Sequence, residues 1–164
     1  MARVAIVTGG TRGIGHAISV ALKTKGFRVA ANYAGNDKAA QEFQVETGIP
    51  VYKFNVGDYE ATAAGLKMVE RDVGPIDVVV NNAGITRDGM LHRMTVEQWN
   101  EVISVDLSSL FNMVRPVIDG MRSRILGTHQ RLHVARAVNH YGDRVVPLRG
   151  TVFNCGSCHF GSQF

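Results

Sequence analysis

Apolar and polar positions follow two alternating rhythms over the first 124 residues. Arg3–Thr8 contains the continuous run Val4-Ala5-Ile6-Val7, as expected of a strand buried on both faces. Gly13–Lys25 then predicts a helix, with Ile14, Ala17, Ile18, Ala21 and Leu22 on one face and Gly26 as its stop. The same pairing repeats. Phe27–Asn32 predicts a second strand, Asp37–Glu46 a helix and Val51–Asn55 a third strand. Glu60–Val73 predicts a helix that Asp58 is placed to cap, and Ile76–Val80 a fourth strand. Thr95–Val105 predicts a short helix. Leu107, Leu110, Phe111, Val114, Ile118 and Met121 mark the apolar face of a longer one, which Pro116 should kink. Repeated β-α-β units with right-handed crossovers make an α/β fold, a parallel sheet wound on both faces.

The rhythm stops after Arg124. The remaining residues contain no Lys and no Glu, yet four of the six His and both Cys. No helix face is visible there; Val145-Val146 and Thr151-Val152-Phe153 are the candidates for short strands. The expected organisation is therefore residues 1–124 as the body and 125–164 as a poorly ordered tail of unrelated character. The sheet is expected to be truncated after its fourth strand and the helices that follow.

Composition narrows the classes. The chain of 164 residues is 45% hydrophobic and 20% charged, which fits one globular domain. The net charge of +4 invites a nucleic-acid reading. Residues 1–124, however, hold 14 basic and 13 acidic side chains, and the tail holds four Arg against one Asp. A balanced body argues against a nucleic-acid partner. No apolar run approaches the ~20 residues that span a bilayer, so no membrane partner is expected. The N-terminus runs into a strand pattern without an apolar leader, and two Cys exclude a disulfide scaffold, so a cytoplasmic protein is expected.

Candidate chemistry begins at Thr8-Gly9-Gly10-Thr11-Arg12-Gly13-Ile14-Gly15, between the first strand and the first helix. Strand, turn and helix stand in the order that a dinucleotide-binding loop requires. Glycines allow the tight turn and let a diphosphate approach the N–H groups of the helix N-terminus, whose dipole favours an anion. The plain alternative is a tight βα turn without a ligand.

The spacing Gly-x-x-x-Gly-x-Gly after Thr8, together with Asn81-Asn82-Ala83-Gly84 after the fourth strand, resembles the short-chain dehydrogenase/reductase family. Asn82 to Asp88 followed by Arg93-Met94 is similar to the 3-ketoacyl reductases in that family. Trp99 to Ile103 and Asp106 to Asn112 are most similar to members that reduce acetoacetyl-CoA for polyhydroxybutyrate synthesis. The resemblance covers residues 1 to about 124. It implies a Rossmann-type fold and NADPH-dependent reduction of acetoacetyl-CoA to 3-hydroxybutyryl-CoA. A close variant acts on 3-oxoacyl groups carried by acyl-carrier protein. It also implies a homotetramer built partly through the helix near residues 107–122. By the same resemblance Gly9, Thr11, Arg12, Gly13, Ile14 and Gly15 bind the cofactor, with the diphosphate held by Gly9, Gly13, Ile14 and Gly15. Asn81, Ala83 and Gly84 line the adenosine ribose and the sheet edge. Asn55 and Val56 stand beside the adenine, with Asn55 where the family usually has Asp. Asp88 resembles a substrate-pocket residue; its alternative is a loop carboxylate paired with Arg87 or Arg93.

Cofactor preference has a physical argument of its own. A site for NADH wants a carboxylate at the end of the second strand to grip the ribose hydroxyls. Here Asn32-Tyr33-Ala34-Gly35-Asn36 stands there, with no carboxylate until Asp37. Arg12 in the loop, and Lys38 beyond the strand, suit a 2′-phosphate, whose oxygens a guanidinium grips in pairs. NADPH is therefore expected over NADH. The alternative is that Arg12 is a solvated loop residue.

The family's proton donor is a Tyr whose pKa is lowered by a Lys four residues later, since free Tyr, near ~10, is a poor acid–base partner at neutral pH. Tyr33, Tyr52, Tyr59 and Tyr141 are followed four residues on by Asp37, Val56, Ala63 and Val145. The last Lys is Lys67. The strand ending in Ser-Ser is not found, and the family's catalytic Asn position is filled by Asp106. No catalytic residue is identifiable, which leaves a non-catalytic NADPH-binding module or a non-functional fragment as alternatives to an enzyme. Cys155-Gly156-Ser157-Cys158-His159 spells a haem-attachment pattern, and zinc could in principle use the same Cys pair with two of His129, His133, His140 and His159. One Cys pair with irregular His spacing reads as chance, so no metal is expected.

Overall fold

The structure, a computed structural model, describes residues 2–128 and 133–136. The chain runs β1 (Val4–Val7), α1 (Gly13–Thr24), β2 (Arg28–Tyr33), α2 (Asp37–Thr47), β3 (Val51–Lys53), α3 (Tyr59–Asp72) and β4 (Ile76–Asn81). A 3-10 turn at Leu91–Arg93 precedes α4 (Val96–Ile103), a π-helical turn (Ser104–Ser108), α5 (Ser109–Val114), α6 (Ile118–Thr128) and β5 (His133–Arg136). Every pairing in the sheet is parallel, and the strand order is β3-β2-β1-β4-β5. The order reverses between β1 and β4, and ligands of open α/β sheets bind outside the carboxyl ends of the strands at such a point.

Alternate strand residues feed two cores. Val4, Ile6, Ala30, Tyr52, Phe54 and Val79 meet α3, Met113 and Met121 on one face. Ala5, Val7, Val29, Ala31, Val78 and Val80 meet Phe43 and Ile49 on the other, with Ile18 and Leu22 of α1 packed against them. Two helix starts follow from capping. Asp58 accepts the Ala61 N–H at 3.0 Å, as its position predicts. Thr95 lies just outside α4 and exchanges hydrogen bonds with Gln98 in a capping box.

The sheet continues past the fourth strand, where the sequence pattern shows no fifth. β5 pairs with β4 in the register Val78↔His133 to Asn81↔Arg136. Val134-Ala135 is too short an apolar run to signal a strand; the strand is defined by its pairing with the edge of β4. Val145-Val146 and Thr151–Phe153 lie outside the described residues.

Three helix expectations change. The short helix and the start of the longer one form a single run from Val96 to Val114, continuous through the π turn, and the break comes at Arg115–Val117 around Pro116. The face marked by Leu107 and Phe111 is not the core face: these side chains are 55% and 62% exposed. Ser109, Asn112, Met113 and Val117 turn inward instead, and of the marked residues Met121 is buried. In α1, Gly15 and Ser19 are the buried residues, while Ile14 is 51% exposed. Both helices carry more apolar residues than one contact face can hold, so small or hydrogen-bonded residues take the tight approach.

This orientation has a measurable consequence. Met113→Ala, at a fully buried position, is expected to cost about 2–5 kcal/mol. Leu107→Ala is expected to cost less than about 1 kcal/mol. Chemical denaturation of the two variants checks the ranking, and the reverse order would restore the face that the sequence pattern marks.

Candidate functional site

The site is built where β1 and β4 end side by side. Thr8 follows β1 and is buried. Its Oγ1 accepts the backbone N–H of Asn82 and that of Ala83, each at 2.9 Å, and donates to the Val80 carbonyl at 3.3 Å. Asn82 answers with its own amide: Nδ2 donates to the Thr8 carbonyl at 2.8 Å and the Gly9 carbonyl at 3.3 Å. The glycine loop is thereby tied to the segment after β4.

A second tie comes from β2. The Gly10 N–H donates to the Asn32 carbonyl at 3.0 Å, and the Gly9 N–H to Asn32 Oδ1 at 3.4 Å. Asn32 Nδ2 reaches across to the Phe54 carbonyl at 2.9 Å, which fixes the loop after β3 as well. Ser19 Oγ donates to the carbonyls of Gly10 and Gly15, at 3.1 and 2.9 Å. A methyl group at Gly15 would lie 2.1 Å from the Gly9 carbonyl oxygen, so no side chain fits. Gly13 has φ +54° and meets nothing within 4 Å of where a Cβ would stand. The first turn of α1, with its unbonded N–H groups, therefore opens onto free space.

The residues singled out by sequence fall as follows. Gly9, Gly15, Asn81 and Ala83 gather at this joint, with Thr11 buried beside it and Arg12 and Gly13 exposed on the loop. Gly84 faces the carboxylate of Asp106, whose Oδ1 accepts the Ile85 N–H at 2.9 Å from the π turn. Val56 is buried, and its carbonyl accepts from Asn112 Nδ2 at 2.9 Å. Asn55 turns its Oδ1 onto the Gly57 N–H at 2.9 Å. Asp88 is exposed, and Arg87, one of its two candidate partners, makes a two-pronged bond to Glu101 at 2.7 and 2.8 Å instead. Thr8 and Asn82, which stand within the motifs without an assigned role, act as positioning residues, and Ser19, Asn32 and Asn112 are further ones outside the motifs. Their signal is a small polar residue inside an otherwise apolar strand or helix face.

Three buried atoms at the joint have no hydrogen-bond partner: both amide atoms of Asn81 and Oδ1 of Asn82. Buried polar groups are otherwise paired. Donor and acceptor capacity at the end of β4, a glycine cradle too tight for a side chain, and an open helix N-terminus fit a nucleotide carrying a diphosphate. Among the described residues no group of His, Cys, Asp or Glu is placed to hold a metal ion. Cys155, Cys158 and His159 lie outside those residues. A cavity of about 320 Å³ lined by Lys23, Arg28, Ile49 and Asp72 lies at the amino ends of the strands, away from this joint.

Charges beside the loop are paired. Tyr33, the last residue of β2, donates its hydroxyl to Asp37 at 3.0 Å, and Lys53 bonds the same carboxylate at 2.9 Å. The Lys53 hydrogen bond holds the Asp37 carboxyl below its ordinary range, and Asp37 in turn raises Lys53. Desolvation and then Asp37 push the Tyr33 hydroxyl up.

Fold and site together define a dinucleotide-binding α/β domain. Residues 3–128 match the short chain dehydrogenase family, and the chain belongs to it. It is 62% identical over 127 residues to an acetoacetyl-CoA reductase of Shinella zoogloeoides, covering 77% of this chain and 53% of that protein. It is 64% identical to an acetoacetyl-CoA reductase of Paracoccus denitrificans, covering 77% and 52%. The chain thus spans about half the length of these curated relatives. Among solved structures it resembles a blue fluorescent protein from a metagenomic library in complex with NADPH, with TM-score 0.68, 28% identity, and 73% and 51% of the two chains covered.

Thr8→Val keeps the shape of the side chain and removes its hydroxyl, leaving two N–H groups at the joint without an acceptor. The expected loss is about 2–4 kcal/mol, while Thr8→Ser stays within about 1 kcal/mol. Urea midpoints of the two variants check this.

Proposed function

We propose that this chain forms the NADPH-binding half of a reductase of short 3-ketoacyl thioesters, with acetoacetyl-CoA as the substrate of its lineage. The carrying observation is the glycine cradle, tied by Thr8 and Asn82 and open at the first turn of α1. The identities above 60% to acetoacetyl-CoA reductases support the substrate class. Within this reading Gly9, Gly13, Ile14 and Gly15 receive the diphosphate, and Thr11 belongs to the same cofactor-binding loop. Asn81, Ala83 and Gly84 face the ribose, Asn55 and Val56 border the adenine, and Asp88 faces the acyl substrate. The cofactor would supply the hydride; the residues described here bind and orient it.

Arg12 carries the preference for NADPH. It stands exposed at the mouth of the loop, and its side chain does not cap α1. A guanidinium held there matches a 2′-phosphate. Self-association belongs to the same reading and is supported by the exposed apolar stripe of Leu107 and Phe111, the latter stacked on Tyr59 at 6.1 Å. So does a cytoplasmic setting; no helix among the described residues is long and apolar enough to cross a membrane.

A second reading, binding without turnover, is favoured by one observation: no Tyr in the chain is followed by Lys four positions later. Titration of NADPH fluorescence, followed by oxidation in the same sample with acetoacetyl-CoA, separates the two. Binding is expected, and its absence overturns the cofactor assignment. Oxidation identifies an enzyme; binding without oxidation identifies the module. Arg12→Ala is expected to weaken NADPH about 10- to 100-fold, the worth of a charge-assisted hydrogen bond. NADH binding should change less than about threefold. Retained preference for NADPH overturns the role of Arg12.

A further inference from the structure

A carboxylate near the end of β2 is the feature that selects an unphosphorylated ribose in folds of this kind, by accepting its hydroxyls and repelling a 2′-phosphate. This chain has one such group within reach of that strand end. Asp37 opens α2, four residues beyond Tyr33. Tyr33 follows Asn32, which holds Gly9 and Gly10, so the backbone that carries the cluster's tyrosine continues from the residue that braces the glycine loop.

The carboxylate is already engaged. Its Oδ1 takes the Tyr33 hydroxyl at 3.0 Å and its Oδ2 the Lys53 ammonium at 2.9 Å. The sheet sets this up. Tyr33 and Lys53 are register partners at the ends of β2 and β3, so their side chains leave the same face. The Lys53–Asp37 ion pair remains half in solvent, with side chains 52% and 57% exposed. Lys38, the next cation along, is drawn to Glu42 at 3.9 Å on its own helix.

We propose that Lys53 is a specificity-determining residue for the nucleotide: by neutralising Asp37 it suppresses the acid that would favour NADH, and leaves Arg12 as the charge that decides. The inference rests on the NADPH-binding reading above. It assigns Lys53 an indirect role through Asp37, not a contact with the phosphate.

A cycle of variants in the full chain tests it, with dissociation constants for NADPH and NADH measured by nicotinamide fluorescence. Lys53→Met is expected to lower the NADPH-over-NADH preference about three- to fivefold, since an exposed charge is worth up to about a factor of five. Adding Asp37→Asn should return the preference to within about twofold of the starting protein. An unchanged preference in Lys53→Met overturns the proposal. A loss that Asp37→Asn does not repair also overturns it, because Lys53 would then act on the phosphate directly. If the unaltered chain binds neither nucleotide, the cofactor reading itself fails and this one with it; NADPH binding with an unmoved ratio sinks this one alone.

Discussion

The Thr8 hydroxyl joins the two strands on which everything else in the site depends. At the carboxyl end of a parallel sheet, neighbouring strands lose their ladder partners and their loops diverge. Here β1 and β4 end together, and one side chain accepts two backbone N–H groups from the segment after β4 while donating to β4 itself. Asn82 closes the reverse bond. The glycine loop is thus held against a fixed floor, and backbone N–H groups aimed outward stay aimed. Preorganised donors of this kind bind an anion without first being ordered.

The same economy explains where the joint stops short of satisfaction. Asn32 and Asn112 are buried, and each spends its amide on a backbone carbonyl of the loop after β3. Asn81 is equally buried and spends neither amide atom. Leaving such groups unpaired costs about 1–3 kcal/mol each, a cost that a bound ligand can relieve. Within one short motif, then, Asn82 braces the loop through its Nδ2 while the Asn81 amide touches no partner.

The helical run from Val96 to Thr128 shows a different constraint. It must cover the sheet through Met113, Val117 and Met121, and its outer side is also apolar at Leu107 and Phe111. It passes through a π turn at Asp106, which holds the Ile85 N–H, and breaks at Arg115–Val117 around Pro116 before resuming as α6. A helix with two apolar sides has no single amphipathic stripe. Its inward face therefore cannot be read from period alone.

Much of the body was legible in the sequence for simple reasons. Continuous apolar runs such as Val4–Val7 can be satisfied by little except a strand buried on both faces, and Gly9-Gly10 before Gly13-Ile14-Gly15 fixes a tight strand-to-helix turn. Caps such as Asp58 act over three residues, so they too are local. What the tertiary structure decided depends on distant partners. Thr8 and Asn82 meet across 74 positions, and Lys53 finds Asp37 through strand register. β5 is defined by its pairing with the edge of β4, since His133–Arg136 does not announce a strand by itself. Sequence by itself set the alternation of strands and helices and the place of the loop, because those follow from local pattern. Which polar side chains brace that loop, and which are buried without a partner, was settled where the strands come side by side.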